Sequence, residues 1–197
     1  MSQINRSRSM EVDDNRVFHD MDMLVTTFSV LAMLGNQYCV SLLKEVQAAI
    51  EESDWQAAEE RLQAFVIQAG SCLSAETDLL YPRLFESASV DRRRLERMGC
   101  RQQQILCRQQ RLTERVSARC ADSSGRELTA LVRALAAHRR TAQPLLDRLP
   151  HSDEVLLKAF AERLRQPYTK GNGADGGLWM PALGCPTLPE QTNRFDF

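Results

Sequence analysis

The chain has 197 residues, with 25 Lys or Arg against 26 Asp or Glu, and a formal net charge of −1. This length and a hydrophobic content of 43% are typical of one globular domain. The balanced charge gives no overall attraction to nucleic acid or to an acidic membrane. Val, Ile, Thr and aromatic residues are few beside Leu, Ala, Gln, Arg and Glu, which argues against all-β and doubly wound folds and favours helices.

The N-terminal part of the chain divides into a polar segment and an uncharged one. Residues 1–16 are polar, lack the apolar core of a secretory signal and are predicted to be disordered. The 21 uncharged residues from Met23 to Leu43 are long enough to span a bilayer. Gly35-Asn36 inside this stretch is typical of a helix break. We therefore expect no membrane span but two buried helices joined by a turn, the first an extra N-terminal helix over 17–34.

After Asn36 the sequence has the periodicity of an amphipathic helix. Its apolar stripe consists of Cys39, Val40, Leu43, Val46 and Ile50. Ser53 and Gln56 match a capping box, which predicts that the next helix begins with Ser53 as its cap. Pro82 is expected to stop that helix soon afterwards.

The second half of the chain has the same organisation. A helix is predicted from about Asp91 to about Arg119, Asp122–Gly125 is typical of a turn, and a further helix ends near Leu149. Ser152 is predicted to cap a short final helix. The Gly- and Pro-rich stretch 166–197 is predicted to be a flexible tail, so that the folded domain covers 17–165.

An internal repeat relates the two halves. A shift of 66 residues, without a gap, aligns Asn36 with Gln102 and Cys72 with His138, together with most apolar positions. Two amphipathic hairpins can align in part by chance, but the ungapped register favours duplication. The sequence therefore predicts an all-α, up-down four-helix bundle made of a duplicated helical hairpin, with its core repeat over 35–150.

Two stretches of the second bundle helix carry a more specific resemblance. Ser53–Leu62 and Ser71–Pro82 together resemble the hemerythrin-like (HHE cation-binding) domain family, whose second helix has a His, a Glu four residues later and then Leu-Tyr/Phe-Pro. The resemblance covers about Gly35 to Pro150. It implies a four-helix bundle that holds two non-haem irons, mostly through histidines.

The resemblance also implies where the iron ligands of this chain would stand, and most of these positions are altered. The positions are Asn36, Cys72, Glu76, Gln102, His138 and Ala142. Only Glu76 and His138 keep a ligand of the expected type. A di-iron centre needs several imidazoles and bridging carboxylates, so we expect neither reversible oxygen binding nor di-iron redox chemistry.

Three hypotheses follow for the function of the altered site. In the leading one there is no metal and no cofactor, and Asn36 and Gln102 hydrogen-bond Glu76 and His138 in a buried network. The protein would then be a regulatory or protein-interaction module and not an enzyme, with an unknown protein partner. In the second, Cys72, Glu76 and His138 bind one zinc or iron ion as a sensor.

The third hypothesis concerns the predicted helix over 91–119, which has nine arginines against three acids. Its candidate binding surface consists of Arg92, Arg93, Arg94, Arg97, Arg101 and Arg108. The arginines are expected to spread over most of the polar face, and no aromatic residue stands among them to stack on bases. A solvated face is therefore favoured over a nucleic-acid site, and an acidic partner stays open.

The six cysteines form no C-x-x-C pair, which excludes zinc-finger and thioredoxin-type motifs. In a chain with a full core they are expected to be reduced, apolar core residues of a cytoplasmic protein. Cys185, in the predicted tail, is expected to be the most exposed thiol.

Overall fold

The computed structural model describes residues 27–86, 91–150 and 153–166. These residues form helices and their connections, and none of them lies in a strand, which confirms the all-α prediction for this part of the chain. The helices are α1 (Phe28–Glu51), α2 (Trp55–Ala75), a π-helical segment (Glu76–Leu80), α3 (Tyr81–Glu86), α4 (Arg92–Ser117), α5 (Ala121–Leu146) and α6 (Glu154–Arg165).

The long helices pack side by side, as in a helix bundle. Short connections join α1 to α2 and α4 to α5, and the two members of each pair pack against each other. In addition α1 packs on α5, and α2 on α4, so that each long helix contacts two others. The last helix, α6, lies against α2, α1 and the π-helical segment. Within the described ranges, no helix combines the length and apolar character that crossing a membrane requires.

The core consists of two apolar clusters. One contains Leu43, Phe65 and Ile105, and the other contains Phe28 and Phe160, whose rings meet edge to face with centroids 6.0 Å apart. α6 thus contributes to the second cluster and helps to bury it. Cys72, a sequence-predicted site residue, packs against both clusters, so the candidate site lies where they meet.

The helix break predicted at Gly35-Asn36 is wrong, because α1 runs through both residues. Gly35 is buried, and a Cβ built on it would lie 2.8 Å from Cys72 Sγ. The missing side chain therefore allows α1 and α2 to approach closely and does not end a helix. Residues 28–34 belong to α1 and not to a separate helix. The rest of the predicted N-terminal helix, the segment 1–16, His19 and residues 167–197 lie outside the described residues.

The cap predicted at Ser53 is also wrong. Asp54 is the N-cap of α2, and its carboxylate accepts a hydrogen bond from the Ala57 N–H at 3.0 Å. Ser53 is instead the turn residue that reverses the chain, with a positive φ of 59°. Ser53 and Asp54 are both residue types that cap helices. Because Ser53 adopts the left-handed turn conformation, Asp54 takes the cap position.

The second hairpin differs from the prediction at its turn. Asp122–Gly125 lies inside α5, and the chain reverses before it, at Arg119, with a positive φ of 53°. Ser124 is completely buried, so packing overrides the turn propensity of this segment. The final helix α6 has Asp153 as its N-cap, and the predicted cap Ser152 lies outside the described residues.

The second bundle helix continues for about one turn past Pro82, to Glu86, where this described stretch ends. Proline has no N–H to donate and would break an α-helical ladder. Just before Pro82 the helix widens into the π-helical segment, where the Tyr81 N–H donates to the Glu76 carbonyl five residues back. Glu76 is therefore the first residue of the widened segment.

Candidate functional site

The Glu76 carboxylate lies at the centre of a buried hydrogen-bond network. Its Oε2 atom is 2.7 Å from His138 Nε2 and 3.1 Å from Gln102 Nε2. Glu76, Gln102 and His138 are only 6%, 8% and 5% exposed. The Thr77 hydroxyl lies 3.2 Å from Gln102 Oε1, which leaves the amide nitrogen to donate to Glu76. Three helical segments, from α2/π, α4 and α5, are thus joined through one carboxylate oxygen.

A cavity of about 30 Å³ lies beside this network. Among the residues that line it are Asn36, Cys39, Cys72, Glu76, His138 and Ala142. Its volume suits about one water molecule. His138 Nδ1 is buried and has no hydrogen-bond partner among the described residues. A neutral ring that donates from Nε2 to the carboxylate has Nδ1 as its acceptor.

The structure brings the predicted site positions together at one level of the bundle. Asn36, Cys72, His138 and Ala142 all line the cavity, and Gln102 bonds to a residue that lines it. The predicted network is present for Gln102 and His138. It is wrong for Asn36, which makes no hydrogen bond to Glu76 or His138 in the part of the chain described.

The residues present do not fit the pair of irons that the resemblance implies. Glu76 Oε2 and His138 Nε2 bond to each other. Asn36, Gln102 and Ala142 offer neither imidazole nor carboxylate at the other positions. Across the described residues, no three His, Cys, Asp or Glu side chains are arranged to hold a metal ion. The zinc or iron hypothesis for Cys72, Glu76 and His138 therefore gains no support from the geometry.

Sequence reasoning missed one residue of this site, Cys39. A hydrogen bond with the Cys72 side chain, together with burial, raises the pKa of Cys39 well above its ordinary value. The contact depends on how α1 and α2 are registered against each other. The only sequence signal for it is that Cys39 follows Gly35 by four residues, on the same face of α1.

Tyr81 is a second buried ionisable group near the network. Burial, and then the charge of Glu76, raise the pKa of Tyr81 well above its usual range. Its hydroxyl is buried without a hydrogen-bond partner among the described residues. Both effects favour the neutral phenol in the folded protein.

Six arginines of α4 lie along one face of the helix. At 100° per residue, six of them fall within an arc of about 80° along about 33 Å of helix. We call this set the arginine stripe, and it consists of Arg93, Arg97, Arg101, Arg108, Arg111 and Arg115. All are exposed except Arg108, which is partly buried and pairs with Glu127 at 3.1 Å. The two glutamates of α4, Glu96 and Glu114, lie about 60° outside the arc.

The other predicted surface residues of α4 lie off the stripe. Arg92 points to a different side of the helix and pairs with Glu96 at 3.8 Å. Arg94 lies at the edge of the arc and is partly buried. Six of the arginines therefore share one narrow face, and Arg92 and Arg94 lie outside it.

Comparison with family models, with curated proteins and with solved structures finds no match to this chain. The resemblance to hemerythrin-like domains therefore stays a prediction from the motif residues.

Proposed function

We propose that this protein is an interaction module, not an enzyme, and that its arginine stripe binds an acidic segment of another protein. In this proposal the bundle is a hemerythrin-like, duplicated hairpin that has lost its di-iron site. The network around Glu76 holds the helices together. The observation that carries the proposal is the stripe itself.

The geometry of the stripe suits a row of carboxylates. Arg93, Arg97 and Arg101 follow each other at intervals of about 6 Å along the helix axis. Carboxylates four residues apart on a partner helix have the same rise. Guanidinium groups pair with carboxylates through two parallel hydrogen bonds, which gives them geometric selectivity as well as charge.

An acidic protein fits this face better than a nucleic acid does. No aromatic residue occurs between Asp91 and Arg119, so the face offers no ring on which a base can stack. The net charge of the whole chain is −1, so no wider positive field supports the stripe. What remains is a local row of cations, which favours a short acidic segment.

The interior supports a structural role for the network. The carboxylate oxygen that resembles an iron ligand already has two partners, Gln102 and His138. A buried carboxylate with such partners stabilises one arrangement of the helices. A fixed arrangement of the bundle is what a docking face on α4 requires.

The proposal is tested by fluorescence anisotropy with a labelled poly-glutamate peptide of about 20 residues. The variant Arg93→Gln, Arg97→Gln, Arg101→Gln removes three charges from the stripe. The matched control Arg126→Gln, Arg133→Gln, Arg140→Gln removes three charges from exposed positions of α5. We expect the stripe variant to lose about fivefold to a hundredfold in affinity, from a few tenths to about 1 kcal/mol for each of the exposed pairs, and the control about twofold.

Two results would overturn the proposal. One is an equal loss in both variants, which would mean that only total charge matters. The other is tighter binding of a single-stranded RNA of equal length than of the peptide at the same ionic strength, which would assign the face to nucleic acid. Helix content is measured by circular dichroism to check that both variants stay folded.

A further inference from the structure

Two thiols from neighbouring helices meet at the cavity. Cys39 on α1 is 2% exposed, and Cys72 on α2 is partly exposed. Both line the cavity of about 30 Å³, and the Cys72 side chain is close enough to raise the pKa of Cys39. Cys72 Sγ lies in the space that the missing side chain of Gly35 leaves open, where a Cβ would be 2.8 Å away. The two helices are therefore close at the level of this pair.

We propose that Cys39 and Cys72 are a redox-active dithiol that a hydroperoxide converts into a disulfide linking α1 to α2. The inference goes beyond the proposed function, because it concerns the interior between α1 and α2 and needs no partner. Both cysteines are free in the structure, which is the reduced state.

The chemistry balances in two steps. The sulfur of Cys72 attacks the peroxide, the O–O bond breaks, and hydrogen peroxide leaves one oxygen on sulfur as a sulfenic acid and the other in water. The Cys39 sulfur then attacks the Cys72 sulfur. The S–S bond forms, and the hydroxyl leaves as a second water with the Cys39 proton. The dithiol loses two electrons, and the peroxide gains them.

The roles of the two thiols follow from their surroundings. Cys72 is the more accessible of the two, and the amide nitrogen of Gln68 lies 3.6 Å from its sulfur. Cys39 is buried and holds its proton, so it is protected from the oxidant and suited to the second step. Cys107 and Cys120 are exposed free thiols, so in the unsubstituted chain their reaction with peroxide can be compared with that of the Cys39–Cys72 pair.

The inference is tested on a variant that keeps only this pair, with Cys100, Cys107, Cys120 and Cys185 replaced by Ser. Purified protein is treated with hydrogen peroxide, denatured with iodoacetamide present, and measured by intact mass and peptide mapping. We expect a monomer that has lost two hydrogen atoms, takes up no label, and yields one peptide joining positions 39 and 72. Dithiothreitol should restore both labelling sites.

A second variant separates the two steps. Adding Cys39→Ala removes the resolving thiol, so peroxide should leave Cys72 as a sulfenic acid that dimedone traps. Two labelled thiols after peroxide in the first variant would overturn the inference, and so would a disulfide between chains. Peptide mapping of the unsubstituted chain after the same treatment repeats the test without the four serine substitutions, so that a folding defect cannot decide it.

Discussion

Removal of His138 is the perturbation that tests the network most sharply. In His138→Leu the Glu76 carboxylate stays buried but loses the partner at 2.7 Å. Breaking a buried pair by removing one member costs about 3–5 kcal/mol, because a charge is left uncompensated. Gln102→Leu removes only the longer bond, at 3.1 Å, and should cost about 1.5–3 kcal/mol.

The triple variant Glu76→Leu, Gln102→Leu, His138→Leu should behave differently. It removes the carboxylate together with both donors, so that no unpaired charge remains. When a buried ion pair or triad is replaced by apolar residues of similar volume, the protein often keeps its stability or gains some. We therefore expect the triple variant to lie within about 1 kcal/mol of the unsubstituted chain, or above it.

Urea and thermal unfolding followed by circular dichroism measure these differences. For a domain of this size about 1 kcal/mol shifts the Tm by about 2–4 °C, so His138→Leu should lower it by about 6–20 °C. The triple variant should melt no more than about 4 °C below the unsubstituted chain. A triple variant that loses as much as the sum of the single losses would refute the reasoning, since the three residues would then act independently of one another.

Three further predictions concern other features of the bundle. The raised pKa values of Cys39 and Tyr81 mean that the unfolded chain ionises first, at about 9.0 and 10.0, so stability should fall as pH rises above these values. Tyr81→Phe should reduce the fall above pH 10 in urea midpoints taken from pH 8 to 11, and an unchanged profile would contradict the assignment. Gly35→Ala should lower the free energy of unfolding, measured with urea, by about 1–3 kcal/mol, because the new Cβ would contact Cys72 Sγ. Adding Cys72→Ala should restore the lost stability. Asp54→Ala should cost about 1 kcal/mol in the same assay, whereas Ser53→Gly, at a positive φ, should cost nothing, and the reverse order would return the cap to Ser53.

Periodic apolar residues made the helices of this chain predictable. The fourth helix was expected over about Asp91 to Arg119 and is observed as Arg92–Ser117, because its N-cap and its apolar periodicity indicate the same limits. Local turn signals were less reliable. Gly35 and the Asp122–Gly125 segment both carry break or turn residues, yet they lie inside helices whose packing outweighs a cost of about 1 kcal/mol per unfavourable residue.

The candidate site was predictable only where one helix face determined it. Gln102 was expected to lie in a buried network with Glu76, and it is buried and bonded to Glu76. The partners of Glu76 and the meeting of Cys39 with Cys72 depend on the register between helices, which no spacing along a single helix reveals. Asn36 was expected to join the network from its place at an altered ligand position, but among the two amides only that of Gln102 bonds Glu76 in the described residues.

The measurement that tests the central claim most directly is metal content. The chain and its Glu76→Ala, His138→Ala variant are purified anaerobically without chelator and examined by elemental analysis. Removing both residues leaves no unpaired buried carboxylate, so the variant should stay folded. We expect far less than one metal ion per chain in both proteins. About one zinc or iron, or two irons, present in the unsubstituted chain and lost in the variant, would contradict the claim that this network is structural.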